Sequence, residues 1–342
     1  MIDIKQLLRH AKAQKATDIH ICAGAAVLLR VGGRLVPVTK EKLTAERSRE
    51  ISLSLLTEEQ KTQFEKNLDY DLMLADADGR YRVNIGYFDG QVGSTIRILP
   101  TEPKTIEELS LPGIVKDLAG RTKGLVLITG STSQGKTTTM AAMIDEINNT
   151  CNKHIVTIED PIEYVHENKK GIVRQREVGT DTKSFYSGLR AALRQDPDVI
   201  AIGEMRDYET IRIALTAAET GVLVLSTLHA ISIDKIIERL ISYSPADGES
   251  QLRFLLAESL QGMIHQELLP TADGRQRVAC EVLIVTGGAR NIIRRKGGFH
   301  LRSIIETGKK HGMITMSESV NTLLEGGIIS EGVAKSVLVN YK

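Results

Sequence analysis

Lys136 and Thr137 close the segment GSTSQGKT (130–137), which matches the spacing GxxxxGK[ST]. Residues of these types in this order suit the phosphates of a nucleotide. Gly130 and Gly135 leave the backbone of Ser131, Thr132, Ser133 and Gln134 free to turn its amides inward around phosphate oxygens. The Lys136 ammonium reaches the outer phosphates. The Thr137 hydroxyl offers a hard oxygen to Mg²⁺, and Thr138 continues the segment toward a helical stretch. Carboxylates for Mg²⁺ and for activating water should stand at neighbouring strand ends. Two segments fit. HIVTI (154–158) runs into Glu159, Asp160 and Glu163, and VIAIG (199–203) runs into Glu204. Glu204 is placed to hold the metal directly or through water, and one carboxylate of the first segment to polarise water. VLVLST (222–227) leads to His229, which either contacts the outer phosphate or is structural. The chemistry expected is ATP hydrolysis with Mg²⁺. A glycine-rich turn with an incidental lysine is the plain alternative, and helix-capping acids the plain reading of either acidic segment alone.

Positioning these groups requires a strand, a loop and a helix in order. The apolar run LVLIT (125–129) precedes the loop, and Met140, Met143, Ile144 and Ile147 fall on one helical face after it. That arrangement sets phosphates at a helix N-terminus, where the helix dipole favours anions. The four apolar runs are nearly continuous, as strands of a parallel sheet buried on both faces must be. Helical patterns lie between them, SFYSGLRAALRQ (184–195) and YETIRIALTAAETG (208–221), so residues 113–342 read as a doubly wound α/β domain. After about residue 231 the pattern is mostly helical. Residues 1–100 differ. Ile4, Leu7, Leu8 and Ala11 predict an amphipathic helix. Short alternating segments come next, separated by the turn signals Gly32-Gly33, Asp78-Gly79 and Asp89-Gly90. These predict a small α+β domain with an antiparallel sheet. Pro100, Pro103 and Pro112 bracket a polar stretch, 101–112, that reads as a linker.

Bulk properties narrow the partners. The chain has 342 residues, 25% of them charged, with a net charge of +1. A nucleic-acid motor needs a basic excess or a basic face, and neither stands out. The three cysteines, Cys22, Cys151 and Cys280, form no CxxC pair, which excludes a four-cysteine zinc site. There is no signal-peptide core and no apolar run of membrane-spanning length, so a cytoplasmic location with only peripheral membrane contact is expected.

Longer blocks carry a family resemblance. ATDIHICAG (16–24), the phosphate loop, IVTIEDPIEYVHE (155–167), QREVG (175–179), the segment 190–221 and STLHA (226–230) occur in one order, with ARNIIRR (289–295) after them. Together they make the chain resemble the type IV pilus retraction ATPases, within the wider class of secretion and pilus ATPases. The resemblance implies a PAS-like N-terminal domain and a RecA-like P-loop ATPase domain. It implies a homohexamer with ATP bound where the two domains meet, working on an inner-membrane pilus platform protein. It also implies roles: Glu163 as general base, Glu204 as the acid of the second acidic strand, His229 as the histidine-box residue, and Arg82 and Arg97 as arginines that reach the phosphates. Departures from the family pattern lie at Ser131, Ser133 and Gln134 in the loop, at Val222, and at Arg295. Losing a glycine at 133 removes backbone freedom where a positive φ is expected. A pilus-assembly or type II secretion ATPase, a nucleic-acid translocase and a weakly hydrolysing regulator are the competing readings. The cysteine count disfavours the first, and the charge the second.

Overall fold

The computed structural model describes residues 3–76, 79–100, 102–245, 247–295 and 301–341. Asp78 of the second turn signal, and Thr101 and Lys342 at the ends of the linker and second-domain spans, lie outside them. The chain divides into two compact units, Met1–Thr101 and Glu102–Lys342.

The first unit opens with α1 (Ile4–Ala13), capped by the Asp3 carboxylate on the Lys5 amide. Leu7, Leu8 and Ala11 are buried, the face that the helical spacing predicts. The sheet strands are β1 (Asp18–Ile21), β2 (Leu28–Val31), β3 (Arg34–Pro37), β4 (Asp69–Asp76), β5 (Gly79–Phe88) and β6 (Gln91–Leu99), with α2 (Ala45–Leu53) and α3 (Glu58–Asn67) inserted after β3. They form one antiparallel sheet in the order β3-β2-β1-β6-β5-β4. The Asp89-Gly90 pair takes positive φ at both residues, 50° and 73°, as a two-residue hairpin turn needs. Strand β4 and helices α2 and α3 carry patterns too weak to predict them as elements.

In the second unit α4 (Ile114–Ala119) precedes β7 (Gly124–Thr129) and α5 (Lys136–Thr150). Then come β8 (His154–Glu159), β9 (Ile172–Glu177), α6 (Phe185–Ala192), β10 (Val199–Ile202), α7 (Tyr208–Glu219) and β11 (Leu223–Leu228). The C-terminal part holds α8 (Ile233–Ser242), α9 (Glu249–Ser259), β12 (Leu260–Pro270), β13 (Gln276–Ile284), α10 (Gly287–Arg294), α11 (Leu301–Thr307), α12 (Met316–Glu325) and α13 (Glu331–Leu338). The sheet order is β13-β12-β7-β11-β10-β8-β9. Every residue of β7, β10 and β11 is buried, which is why these runs show no alternation.

Two expectations change here. The helices predicted after residue 231 are present, but two strands interrupt them. β12 and β13 form a long antiparallel hairpin, and β12 pairs in parallel with β7 beside the phosphate loop. Its signal was present in Asp273-Gly274 between two alternating runs. The stretch read as a linker is also packed rather than free, because Ile106 and Leu111 enter the core of the second unit.

Candidate active site

The phosphate loop leaves β7 at Thr129 and enters α5 at Lys136. Gly130 is required by close approach, since a Cβ there would sit 2.5 Å from the Gln266 carbonyl oxygen of β12. Gly135 caps α5 at φ 76°, a left-handed turn that aims the first amides of the helix back across the loop. Ser133 also takes a positive φ, 63°, so the position that lost its glycine keeps the conformation a glycine would favour. Thr137 and Thr138 occupy the first turn of α5.

Lys136 is 6% exposed. Its ammonium donates to the carbonyls of Gly130 at 3.0 Å and Ser131 at 2.7 Å, and to His229 Nδ1 at 3.3 Å. Burial lowers the lysine's pKa, while the charges of Glu204 and Glu163 act to raise it. His229 is thus bonded to the ammonium, and the Glu204 and Glu163 charges are near enough to act on it. Burial lowers His229 first, and the Lys136 charge adds to it. A neutral His229 can accept from Lys136. Glu204 ion-pairs with Arg206, an exposed guanidinium, at the end of β10. Ser131, Thr132, Glu204, Arg206 and His229 line one open cleft of ≈ 1010 Å³, to which α8 contributes a wall.

The carboxylates after β8 separate cleanly. Glu159 is 6% exposed and accepts from Thr157 Oγ1 at 2.6 Å and from Gln175 Nε2 at 3.1 Å. A carboxylate held in this way serves the local structure. Glu163 lies in a segment anchored by its neighbour, because Tyr164 shares a hydrogen bond of 2.9 Å with Thr138 of α5 and its carbonyl accepts from Gln175. Tyr164 escapes a reading of the sequence. A tyrosine beside the acidic box is not a chemical signal until α5 is seen to pass it.

Arg82 and Arg97 belong to the first unit. They are direct partners across β5 and β6, so they share one face. Asp18 pairs with Arg97 in register and accepts from its Nε at 3.0 Å, and Arg82 approaches Asp71 at 3.7 Å. Two like charges directly opposite in a sheet repel, and here each arginine has a carboxylate beside it, Asp18 for Arg97 and Asp71 for Arg82.

A strand, a turning loop and a helix that together bury a lysine against the loop carbonyls and His229 define a P-loop nucleotide hydrolase of mixed α/β fold. The comparisons with known proteins carry this further. Residues 1–316 match the family model described as Type II/IV secretion system protein. The chain is 41% identical to the "Type IV pilus retractation ATPase PilT" of Pseudomonas aeruginosa over 335 residues, covering 98% of this chain and 97% of that one. It is 40% identical to a "Twitching motility protein" of Neisseria gonorrhoeae, covering 97% and 89%. Among solved structures, the pilus retraction motor PilT with bound ADP superposes with a TM-score of 0.88 at 41% identity, covering 98% and 97%. This chain belongs to the type II/IV secretion system protein family, and it is an ATPase.

Proposed function

We propose that this ATPase is a motor that retracts a type IV pilus. The observation that carries the reading is the bond of Lys136 to His229 beside Glu204 in the cleft of the phosphate loop, in a chain alike from end to end to retraction ATPases. Lys136 and the loop amides hold the phosphates. Glu163 accepts a proton from the attacking water, and Glu204 holds Mg²⁺ with Thr137. His229, bonded to Lys136, senses the outer phosphate. Arg82 and Arg97 supply positive charge as the phosphoryl group transfers. A planar guanidinium suits that charge better than an ammonium.

The donor set fits Mg²⁺. Among the described residues no three His, Cys, Asp or Glu side chains cluster to hold a metal by themselves. A hydroxyl and a carboxylate beside phosphates are what Mg²⁺ takes, and an ion held there by Thr137 and Glu204 would neutralise phosphate charge. The exposed Arg206 can release Glu204 at little cost.

In this reading residues 1–100 act as a PAS-like domain and 113–342 as a RecA-like domain, in a cytoplasmic homohexamer. The hexamer works on a platform protein of the inner membrane. No helix among the described residues is long and apolar enough to cross a membrane, which suits a peripheral attachment. Deleting the gene and counting surface pili tests the direction of movement. Excess pili are expected, and loss of pili would transfer the chain to assembly.

A further inference from the structure

Strand β12 touches the phosphate loop on one face and the residue just before it on the other. In a strand, alternate side chains point to opposite sides. On one side, the Leu268 amide donates to Gln134 Oε1, and Gln266 Nε2 donates to the Gln134 carbonyl at 2.6 Å. One of the loop residues that depart from the family pattern, Gln134, is therefore the one tied to the neighbouring strand. On the other side, His265 stands in register with Thr129, the last residue before the loop.

The hydrogen-bond directions on that second side are fixed by their far end. Tyr341 Oη donates to Glu267 Oε1 at 2.6 Å, because a carboxylate can only accept. Tyr341 Oη therefore accepts from His265 Nε2–H at 2.8 Å. Burial lowers the His265 pKa to about 4, so the ring is neutral and Nδ1 is the acceptor, taking the Thr129 hydroxyl proton at 3.1 Å in preference to the Ile264 carbonyl at 3.4 Å. His265 is 1% exposed and Tyr341 8%, so water does not substitute readily for either bond. Arg302 of α11 donates to the Tyr341 carbonyl and pins the segment from its other side.

We propose that His265, Tyr341 and Gln134 are positioning residues for ATP, through which the docked segment 339–341 sets the shape of the phosphate loop. Seating of Tyr341 orients His265, His265 holds Thr129, and β12 holds the loop through Gln134. Nucleotide affinity thus depends on a segment that reaches the loop only through β12 and His265. The inference rests on ATP hydrolysis at the loop, and needs nothing about pili.

The test uses the full chain, steady-state ATP hydrolysis, and direct binding of ADP with Mg²⁺. Tyr341→Phe removes one buried hydroxyl and should raise both KM for ATP and Kd for ADP about 5-fold, with kcat within about 2-fold, since one such hydrogen bond is worth that much. Gln134→Leu should do the same. The double variant should fall short of the product of the two effects, because both act through β12. If Tyr341→Phe does not fold, Glu267→Gln weakens only the last bond and should give a smaller change of the same sign. A lower Tm with KM and Kd unmoved, or strictly multiplicative effects in the double variant, would overturn the proposal. Absent wild-type turnover would instead overturn the ATPase reading itself.

Discussion

The two sets of charged residues assigned to nucleotide chemistry are held in opposite ways. In the second unit Lys136 is 6% exposed, with two backbone carbonyls and His229 on its ammonium. In the first unit the Arg97 side chain is 63% exposed and the Arg82 side chain 44%, each leaning on a single carboxylate. A buried, multiply bonded cation is part of the fold, and removing it leaves desolvated acceptors unsatisfied. An exposed arginine on a sheet face contributes little to stability, so its selection must lie elsewhere. In the proposed reading, the binding half of the chemistry is built into the fold, while the arginines assigned to rate enhancement stand on an exposed sheet face.

The largest expected effect tests that division. Arg97→Ala should lower turnover about 10³-fold, the scale of an arginine acting on a transferring phosphoryl group. Affinity for ADP and the Tm should stay near wild type, because Asp18 keeps the Thr17 hydroxyl and Arg30. Lys136→Ala should lose turnover and ADP affinity together. If Arg97→Ala weakens ADP binding as much as Lys136→Ala does, the contrast between the two regions collapses.

How far the sequence reveals each region reflects the same contrast. The loop GSTSQGKT, the apolar strands and Glu204 were legible because each is local: a strand, its end and a turn are contiguous in the chain. The pairing of Arg82 with Arg97 was half legible. Arg82 lies seven residues before Asp89 and Arg97 seven after Gly90, so a two-residue turn sets them opposite each other. The contacts of Tyr164 with Thr138, and of Gln134 with Gln266 and Leu268, were not legible. They join segments separated by 26 to 134 positions, through a hairpin that a helical reading of the C-terminal part hides.

A second, smaller effect comes from burial. His166 is 8% exposed, and desolvation lowers its pKa to about 4, with Asp145 acting to raise it. Folded, it is neutral; unfolded, it takes a proton below its ordinary value of 6.5. Its contribution is therefore complete above pH 6.5, is lost as pH falls, and is gone near pH 4. The stability of the wild type relative to His166→Gln should fall by up to about 3 kcal/mol between pH 7 and pH 4. Urea denaturation at several pH values measures the difference and cancels groups common to both. A difference that does not change with pH would mean His166 is open to water. No titrating histidine of the first unit is comparably buried among the described residues, since His20 is shifted down with only partial burial.

The smallest effect concerns the loop itself. Ser133 holds φ 63°, a conformation that costs a residue with a Cβ about 1 kcal/mol and costs glycine nothing. Glycine in turn loses more freedom on folding, by roughly 0.5–1 kcal/mol. Ser133→Gly should thus change global stability by no more than about 0.5 kcal/mol in either direction. What it should change is how the loop is held. With serine, the strained residue is followed at once by Gln134, whose side chain is bonded to the Leu268 amide. If that tie keeps the strained turn in place, the glycine variant needs it less, and Gln134→Leu should raise KM for ATP less in a Ser133→Gly background than alone. Equal effects in both backgrounds would show that the turn at 133 and the tie at 134 act independently. The tie to β12 would then serve the phosphates directly rather than by offsetting the strain that the missing glycine leaves.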